Sequence, residues 1–308
     1  MNSFDIYSGT GIGYAISTEL ASIGCLVVIA SRDETKCIRA AKEINQALAR
    51  NSSYSSSGNV YAGPSTSLRV EEEIDCLIGH VIEKYGRLDF LINNAGGQFV
   101  SAGEDISRNV SRYIQVRALL TFLLLILNFL FLLTTLKGFN AVVETNLTGT
   151  FMMCKHAYQQ WMRDHGGSIV NITLGNRNGM PMMVHSGAAR AGIENMTATL
   201  CNEWIESGVR INCVRPGIIW TESGFKNYGA LGDVFAKKLL PSIPARRFGS
   251  PEEISSAVCW LLSDGAAYVT GAVLCVDGGS SYHFLPLIDI EDSSHLPIYG
   301  TLPTKGKL

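Results

Sequence analysis

Leu88-Asp89-Phe90-Leu91-Ile92-Asn93-Asn94-Ala95-Gly96-Gly97 (LDFLINNAGG) is the stretch that decides the fold. Its first half is a short, mostly apolar run, as expected of a strand covered on both faces of a parallel sheet. Its second half consists of turn formers. Upstream, Leu26–Ser31 (LVVIAS) is a second run of the same kind, and a polar helical stretch follows it to about Arg50. Asn51–Asn59 reads as a loop, and Glu71–Tyr85 sets Ile74, Leu77, Ile78 and Val81 at helical spacing. Downstream come the strand runs Ser168–Thr173, Arg210–Val214 and Val273–Val276, with a helix over Ala188–Ile205. Another helix opens at Pro251 behind a Ser250 cap, with Glu252 and Glu253 in its first turn. Strand and helix alternate without internal repeats, which predicts a doubly wound parallel α/β sheet.

The chain has 308 residues, is 46% hydrophobic and carries 17% charged residues, against roughly 25% charged in ordinary soluble domains. That much apolar surface excludes disorder for most of the chain. The balance of 25 basic against 27 acidic residues provides no basic field, so no nucleic-acid partner is expected. The eight cysteines form no CxxC pair and no zinc-spaced cluster with histidine. No metal is expected, and reduced thiols in an intracellular compartment are. MNSFDIYSG lacks the apolar region of a secretory signal, and the chain ends Gly306-Lys307-Leu308. That ending is one residue from the Ser-Lys-Leu peroxisomal address, which alone leaves two readings open, a peroxisomal address and a chance tripeptide, with the cytoplasm as the fallback.

Gly9-Thr10-Gly11-Ile12-Gly13 opens a predicted helix over Ile12–Ile23. Glycines at such a place let the backbone approach a pyrophosphate at a helix N-terminus. Only eight residues precede Gly9, so the first strand is expected to be truncated. Ser31 and Arg32 end the second strand, with Arg32 19 positions after Gly13. This is where such folds read the adenosine ribose, and an arginine there accommodates the 2′-phosphate of NADPH. Asp33 follows directly.

Gly9–Gly13, Asn93–Gly96, Pro216-Gly217 with Thr221, and SPEEIS…LLSD…TG…VDGG through Gly279 occur in one order. Together they resemble the short-chain dehydrogenase/reductase family over nearly all of residues 4–280. The resemblance implies a single Rossmann domain, a nicotinamide cofactor and a homo-oligomer. It implies that Asn94, Ala95 and Gly96 line the adenosine side, and that Pro216, Gly217, Ile219 and Thr221 hold the nicotinamide. Asn146 matches the family's catalytic-helix asparagine. The usual serine and Tyr-x-x-x-Lys positions, however, carry Leu174 and Ser186-Gly187-Ala188-Ala189-Arg190. Ser186 and Arg190 in that register, with GGQF, ETNLTGTFMMCKHAY, HGGSIVNI and HSGAARAG, are closely similar to the family's peroxisomal trans-2-enoyl-CoA reductases. Those enzymes carry a displaced Tyr-x-x-x-Lys, whose positions are Glu194 and Ala198 in this chain.

The resemblance implies NADPH-dependent reduction of an enoyl-CoA substrate in the peroxisome, and the missing displaced tyrosine and lysine imply retained NADPH binding with turnover reduced or lost. Asn146 and Ser186 would hydrogen-bond the thioester oxygen, and Arg190 would hold the cofactor ribose. Glu194 is either the proton donor, if burial raises its pKa, or a surface residue of its helix. A non-catalytic cofactor- or acyl-binding relative, motivated by Glu194 and Ala198, is one alternative. A 3-oxoacyl reductase of the same fold is another.

Ala118–Leu136 (ALLTFLLLILNFLFLLTTL) is the most apolar segment of the chain. At 1.5 Å per residue it would span about 28 Å as a helix. It sits in residues 107–136, an insertion relative to the family. Three readings compete: a membrane helix, an apolar lid over an acyl site, or translated intron sequence. The last is favoured, because one span through a Rossmann domain would separate strands that share a sheet. A membrane partner is therefore not expected. Residues 1–282 form the domain in this reading, with 107–136 inserted in it, and residues 283–308 form a loose tail.

Overall fold

Seven parallel strands lie side by side in the order β3-β2-β1-β4-β5-β6-β7. They are β1 (Asn2–Ile6), β2 (Leu26–Ala30), β3 (Val60–Ala62), β4 (Phe90–Asn93), β5 (Gly167–Ile172), β6 (Val209–Pro216) and β7 (Val273–Val276). The computed structural model describes residues 2–6, 10–50, 58–96, 136–175, 179–180, 182–221, 239–282 and 298–300; for 2–6, 136 and 137 it describes the backbone.

The chain lays down β1, β2 and β3 in one direction, then returns to place β4 on the other side of β1. The reversal between β1 and β4 opens a crevice beyond their carboxyl ends, where open α/β sheets bind ligands. The Rossmann architecture expected from the sequence is therefore present. The first strand, expected to be truncated, is present over Asn2–Ile6. All five of its residues pair with β2, and Ser3–Ile6 pair with Phe90–Asn93. Five residues equal the length of β2 and lie within the usual range for strands.

Successive residues of each strand face opposite layers, as the pleat requires. Val28, Leu91, Ile169 and Ile211 join the core beneath α3 (Glu71–Tyr85), a long helical rod and α5 (Val184–Glu203). Val27, Ile29, Ile92 and Val170 join the core beneath α1 (Gly11–Ser22), α2 (Glu34–Arg50) and α6 (Pro251–Leu262). We call the rod α4. It is α-helical over Leu136–Val143, Gly149–Ala157 and Arg163–His165, with π-helical turns at Glu144–Thr148 and Tyr158–Met162.

The expected insertion at 107–136 and its lid and membrane readings lie outside the described residues, except for Leu136. Among the described residues no helix is long and apolar enough to cross a membrane. Most of the tail 283–308 also lies outside them. Residues 298–300, however, are docked rather than loose: Ser250 Oγ donates to Tyr299 O at 2.5 Å, and Tyr299 Oη donates to Glu19 Oε1 of α1 at 3.2 Å.

The Ser250 cap is confirmed as a reciprocal box. Ser250 Oγ accepts from Glu253 N, and Glu253 Oε2 accepts from Ser250 N at 2.9 Å. Ser250 is fully buried. Ser250→Ala removes the cap and the bond to Tyr299 together, and is expected to destabilise the chain by about 1–2 kcal/mol in urea unfolding. An unchanged midpoint would contradict this account of the helix start.

Candidate active site

At the carboxyl end of β4 the chain turns through Asn94, Ala95 and Gly96; at the end of β5 it passes Ile172 and Thr173. Arg190 of α5 lies between the two ends and is 7% exposed. Its Nη1 donates to Ile172 O at 2.5 Å and its Nη2 to Ala95 O at 3.3 Å. Its Nε is buried without a hydrogen-bond partner among the described residues. Burial pulls the guanidinium down to about 10, which still leaves it a cation at neutral pH. Gly96 lies flat against it. A Cβ on Gly96 would stand 1.7 Å from Arg190 Nη2 and 3.5 Å from Asn146 Oδ1.

Asn146 reaches this point because it sits in the first π-turn of α4, where it is fully buried. An extra residue in one helical turn re-aims the side chains around it, a device common at functional sites. Ser186 lies one turn before Arg190 on α5 and is also buried. Ala95, Gly96, Asn146 and Arg190 thus converge, with Ser186 on the same helix face as Arg190.

A buried polar layer supports the node from below. Asn93 Nδ2 donates to Asn171 Oδ1 at 2.8 Å, Asn171 Nδ2 to Thr197 Oγ1 at 3.0 Å, and Cys213 Sγ to Thr197 Oγ1 at 3.2 Å. These bonds tie β4, β5 and β6 to α5. Burial pushes the thiols of Cys154 and Cys213 up to about 12. They are therefore neutral packing groups, not nucleophiles.

Glu194 is not placed to deliver a proton. Its Oε1 accepts from Arg215 Nε at 2.9 Å, its Oε2 from Arg215 Nη2 at 2.5 Å, and Thr173 Oγ1 donates to Oε1 at 3.1 Å. Each of these three bonds is donated to the carboxylate, and Arg215 grips both of its oxygens. It is not a surface residue either, since its side chain is 15% exposed. The same pair drives the Arg215 guanidinium above its ordinary range. The sequence did not single out His185, which neighbours Ser186. Ser186 N donates to His185 Nδ1 at 2.8 Å, and burial pushes the imidazole below its usual range, so it is neutral. No spacing signals it.

The cofactor positions fit a dinucleotide. Gly9 lies outside the described residues. Thr10 is extended, and Gly11, Ile12 and Gly13 open α1, with Gly11 at φ 62. That left-handed backbone costs glycine little and a side chain more. Ser31 is buried and Arg32 exposed at the end of β2. Asp33 is engaged elsewhere: its Oδ1 accepts from Lys36 N at 3.1 Å at the start of α2, which holds the carboxyl below its usual range. The acid beside Arg32 is thus turned into its own helix. Pro216 ends β6, and Gly217, Ile218 and Ile219 line, with Ile243, Ala245 and Val276, a cavity of about 300 Å³. Thr221 is the last described residue of that loop. Among the described residues, no group of three or more His, Cys, Asp or Glu side chains is gathered as for a metal ion.

Residues 8–125 match the family model described as short chain dehydrogenase, and residues 121–281 the one described as Enoyl-(Acyl carrier protein) reductase. The chain belongs to the short-chain dehydrogenase/reductase family. It is therefore related to oxidoreductases that use nicotinamide cofactors. Within this family it is 37% identical over 276 residues to a peroxisomal 2,4-dienoyl-CoA reductase of Danio rerio, covering 88% of this chain and 78% of the relative. It is 30% identical to one of Saccharomyces cerevisiae, covering 89% and 82%. Among solved structures of the family it resembles a citronellol catabolism dehydrogenase of Pseudomonas aeruginosa, with TM-score 0.70 and 32% identity over 91% of this chain and 95% of that one.

Proposed function

We propose that this chain reduces trans-2-enoyl-CoA to saturated acyl-CoA with NADPH, in the peroxisome. One observation carries the reading. The node at the ends of β4 and β5 is an amide and a guanidinium, with Ser186 and Arg190 standing at the family's tyrosine and lysine positions. Reduction of a ketone calls for an acid at the developing alkoxide. Reduction of an α,β-unsaturated thioester builds charge on the thioester oxygen, and hydrogen-bond donors can stabilise that charge. The reduced nicotinamide, when bound, supplies the hydride that the β-carbon accepts. Asn146 Nδ2 and Ser186 Oγ are the donors for the thioester oxygen, and water delivers the proton to the α-carbon. Arg190 holds the ribose with the donors its backbone contacts leave over. The names of the relatives support a second substrate, 2,4-dienoyl-CoA.

The test is stopped-flow NADPH oxidation with trans-2-enoyl-, 2,4-dienoyl- and 3-oxoacyl-CoA of matched chain length. Turnover on the first supports the proposal, and turnover on the second alone moves it to the dienoyl substrate. Turnover on the third alone overturns it, as does NADPH binding without turnover on any of the three.

Arg32 carries the expected preference for NADPH. Arg32→Ala is expected to weaken NADPH by about tenfold or more, the worth of one charge-assisted contact, and to leave NADH unchanged. Fluorescence titration with both dinucleotides checks this, and an equal loss for both would remove Arg32 from the 2′-phosphate.

A further inference from the structure

We propose that Glu194 is a positioning residue, which through Arg215 fixes the Pro216–Thr221 loop for the nicotinamide half of the cofactor. The inference rests on the proposed function, in which that loop holds the nicotinamide. Arg190 and Glu194 stand four positions apart on α5, so they share one face. The cation ties α5 to the ends of β4 and β5 through Ala95 O and Ile172 O. The anion continues the series to β6 through both oxygens on Arg215. Two side chains of opposite charge thus gather three strand ends against a single helix.

Arg215 is the residue immediately before Pro216-Gly217. Its Nη1 lies 3.6 Å from Cys275 Sγ on β7, so the pair also reaches the strand beyond. The Thr173 hydroxyl is 3.1 Å from Glu194 Oε1 and 3.3 Å from Val214 O, so β5 is tied in at the same point. Both side chains of the pair are mostly shielded, at 13% and 15% exposure. Deleting one partner therefore leaves a shielded charge facing a thiol or a hydroxyl rather than water. Arg215 then lets go of α5, and the segment that follows it is left with its backbone bonds, among them those from Gly217 N to Val276 O at 2.9 Å and from Trp220 N to Gly249 O at 2.8 Å. A group doing this work acts on cofactor affinity before it acts on proton transfer.

The experiment is a double-mutant cycle on the full chain, read by fluorescence titration with NADPH, with thermal unfolding run alongside. Glu194→Ala and Arg215→Ala are each expected to raise the NADPH Kd about tenfold, and the double variant no further, because the two act as one unit. The charge-reversed pair Glu194→Arg with Arg215→Glu is expected to recover part of the affinity. Glu194→Gln keeps the shape, so it tests the charge if the alanine variants fold poorly, and its Kd is expected to rise too. In turnover, the KM for NADPH is expected to rise more than kcat falls, with the pH profile keeping its shape. Kd effects that simply add would overturn the inference, as would a Glu194→Gln variant that binds NADPH normally yet loses turnover. A wild-type chain that binds no dinucleotide would sink the proposed function as well, a result distinct from normal wild-type binding with indifferent variants.

Discussion

Gly96→Ala is expected to lower kcat/KM by at least about a hundredfold and the melting temperature by roughly 5–10 °C. The added methyl would stand 1.7 Å from Arg190 Nη2 and 2.9 Å from its Cζ. A guanidinium on an exposed flexible stem would swing aside at little cost, but this one is 7% exposed and held by two carbonyls. Moving it breaks bonds from a charged donor worth about 1.5–3 kcal/mol each, on top of an overpacking cost of about 1–3 kcal/mol. Only part of that total is expected in the melting temperature, because the end of β4 can shift. What it cannot do is shift and keep Asn146, Arg190 and Ala95 in one place. Calorimetry and steady-state kinetics on the variant check both halves. A variant with normal kinetics would dissolve the node as an active site.

Arg190→Met is expected to separate function from stability. Burial holds the guanidinium below its unfolded value. A cation whose folded pKa is depressed opposes folding wherever it is charged, which includes neutral pH, and the opposition fades only as pH rises through the lowered value. Methionine fills similar space without that cost, although it strips two carbonyls of a donor. The two effects offset, and the urea midpoint at pH 7 should move by no more than about 1–2 kcal/mol equivalent. NADPH binding and turnover should both fall by about a hundredfold or more, since the proposed function assigns this group to the cofactor ribose. A variant that unfolds outright would show that the guanidinium serves the fold more than the site.

The sequence made some parts of this molecule plain and hid others, for identifiable reasons. α3 was legible to its ends because Ile74, Leu77, Ile78 and Val81 mark a buried stripe. α6 was legible because a serine, a proline and two glutamates punctuate its start. β1 looked too short because only eight residues precede Gly9; its pairing on both edges makes it a strand. β3, three residues long, gave no periodicity to read. α5 begins at Val184, before the apolar spacing that marked it becomes visible. At the site, the convergence of Asn146 and Arg190 beside Gly96 involves two residues that register with a family had singled out. The work of Glu194 was not legible, since its partner lies 21 positions away on another element. Gly96 looked like a turn residue, and the actual demand on it comes from a side chain 94 positions downstream.

The oxygen of Ser250 has one further consequence. It accepts from the first turn of α6 and donates to the backbone of Tyr299, whose own hydroxyl rests on α1. A single atom is thus a joint between the start of α6 and a segment some fifty positions further on. Thermodynamic linkage makes such a joint reciprocal: whatever favours docking of the segment favours the helix start by the same amount, and the reverse. Residues 298–300 therefore do not merely follow the folded domain. Their docking and the start of α6 stabilise each other, as a bound ligand and its site do.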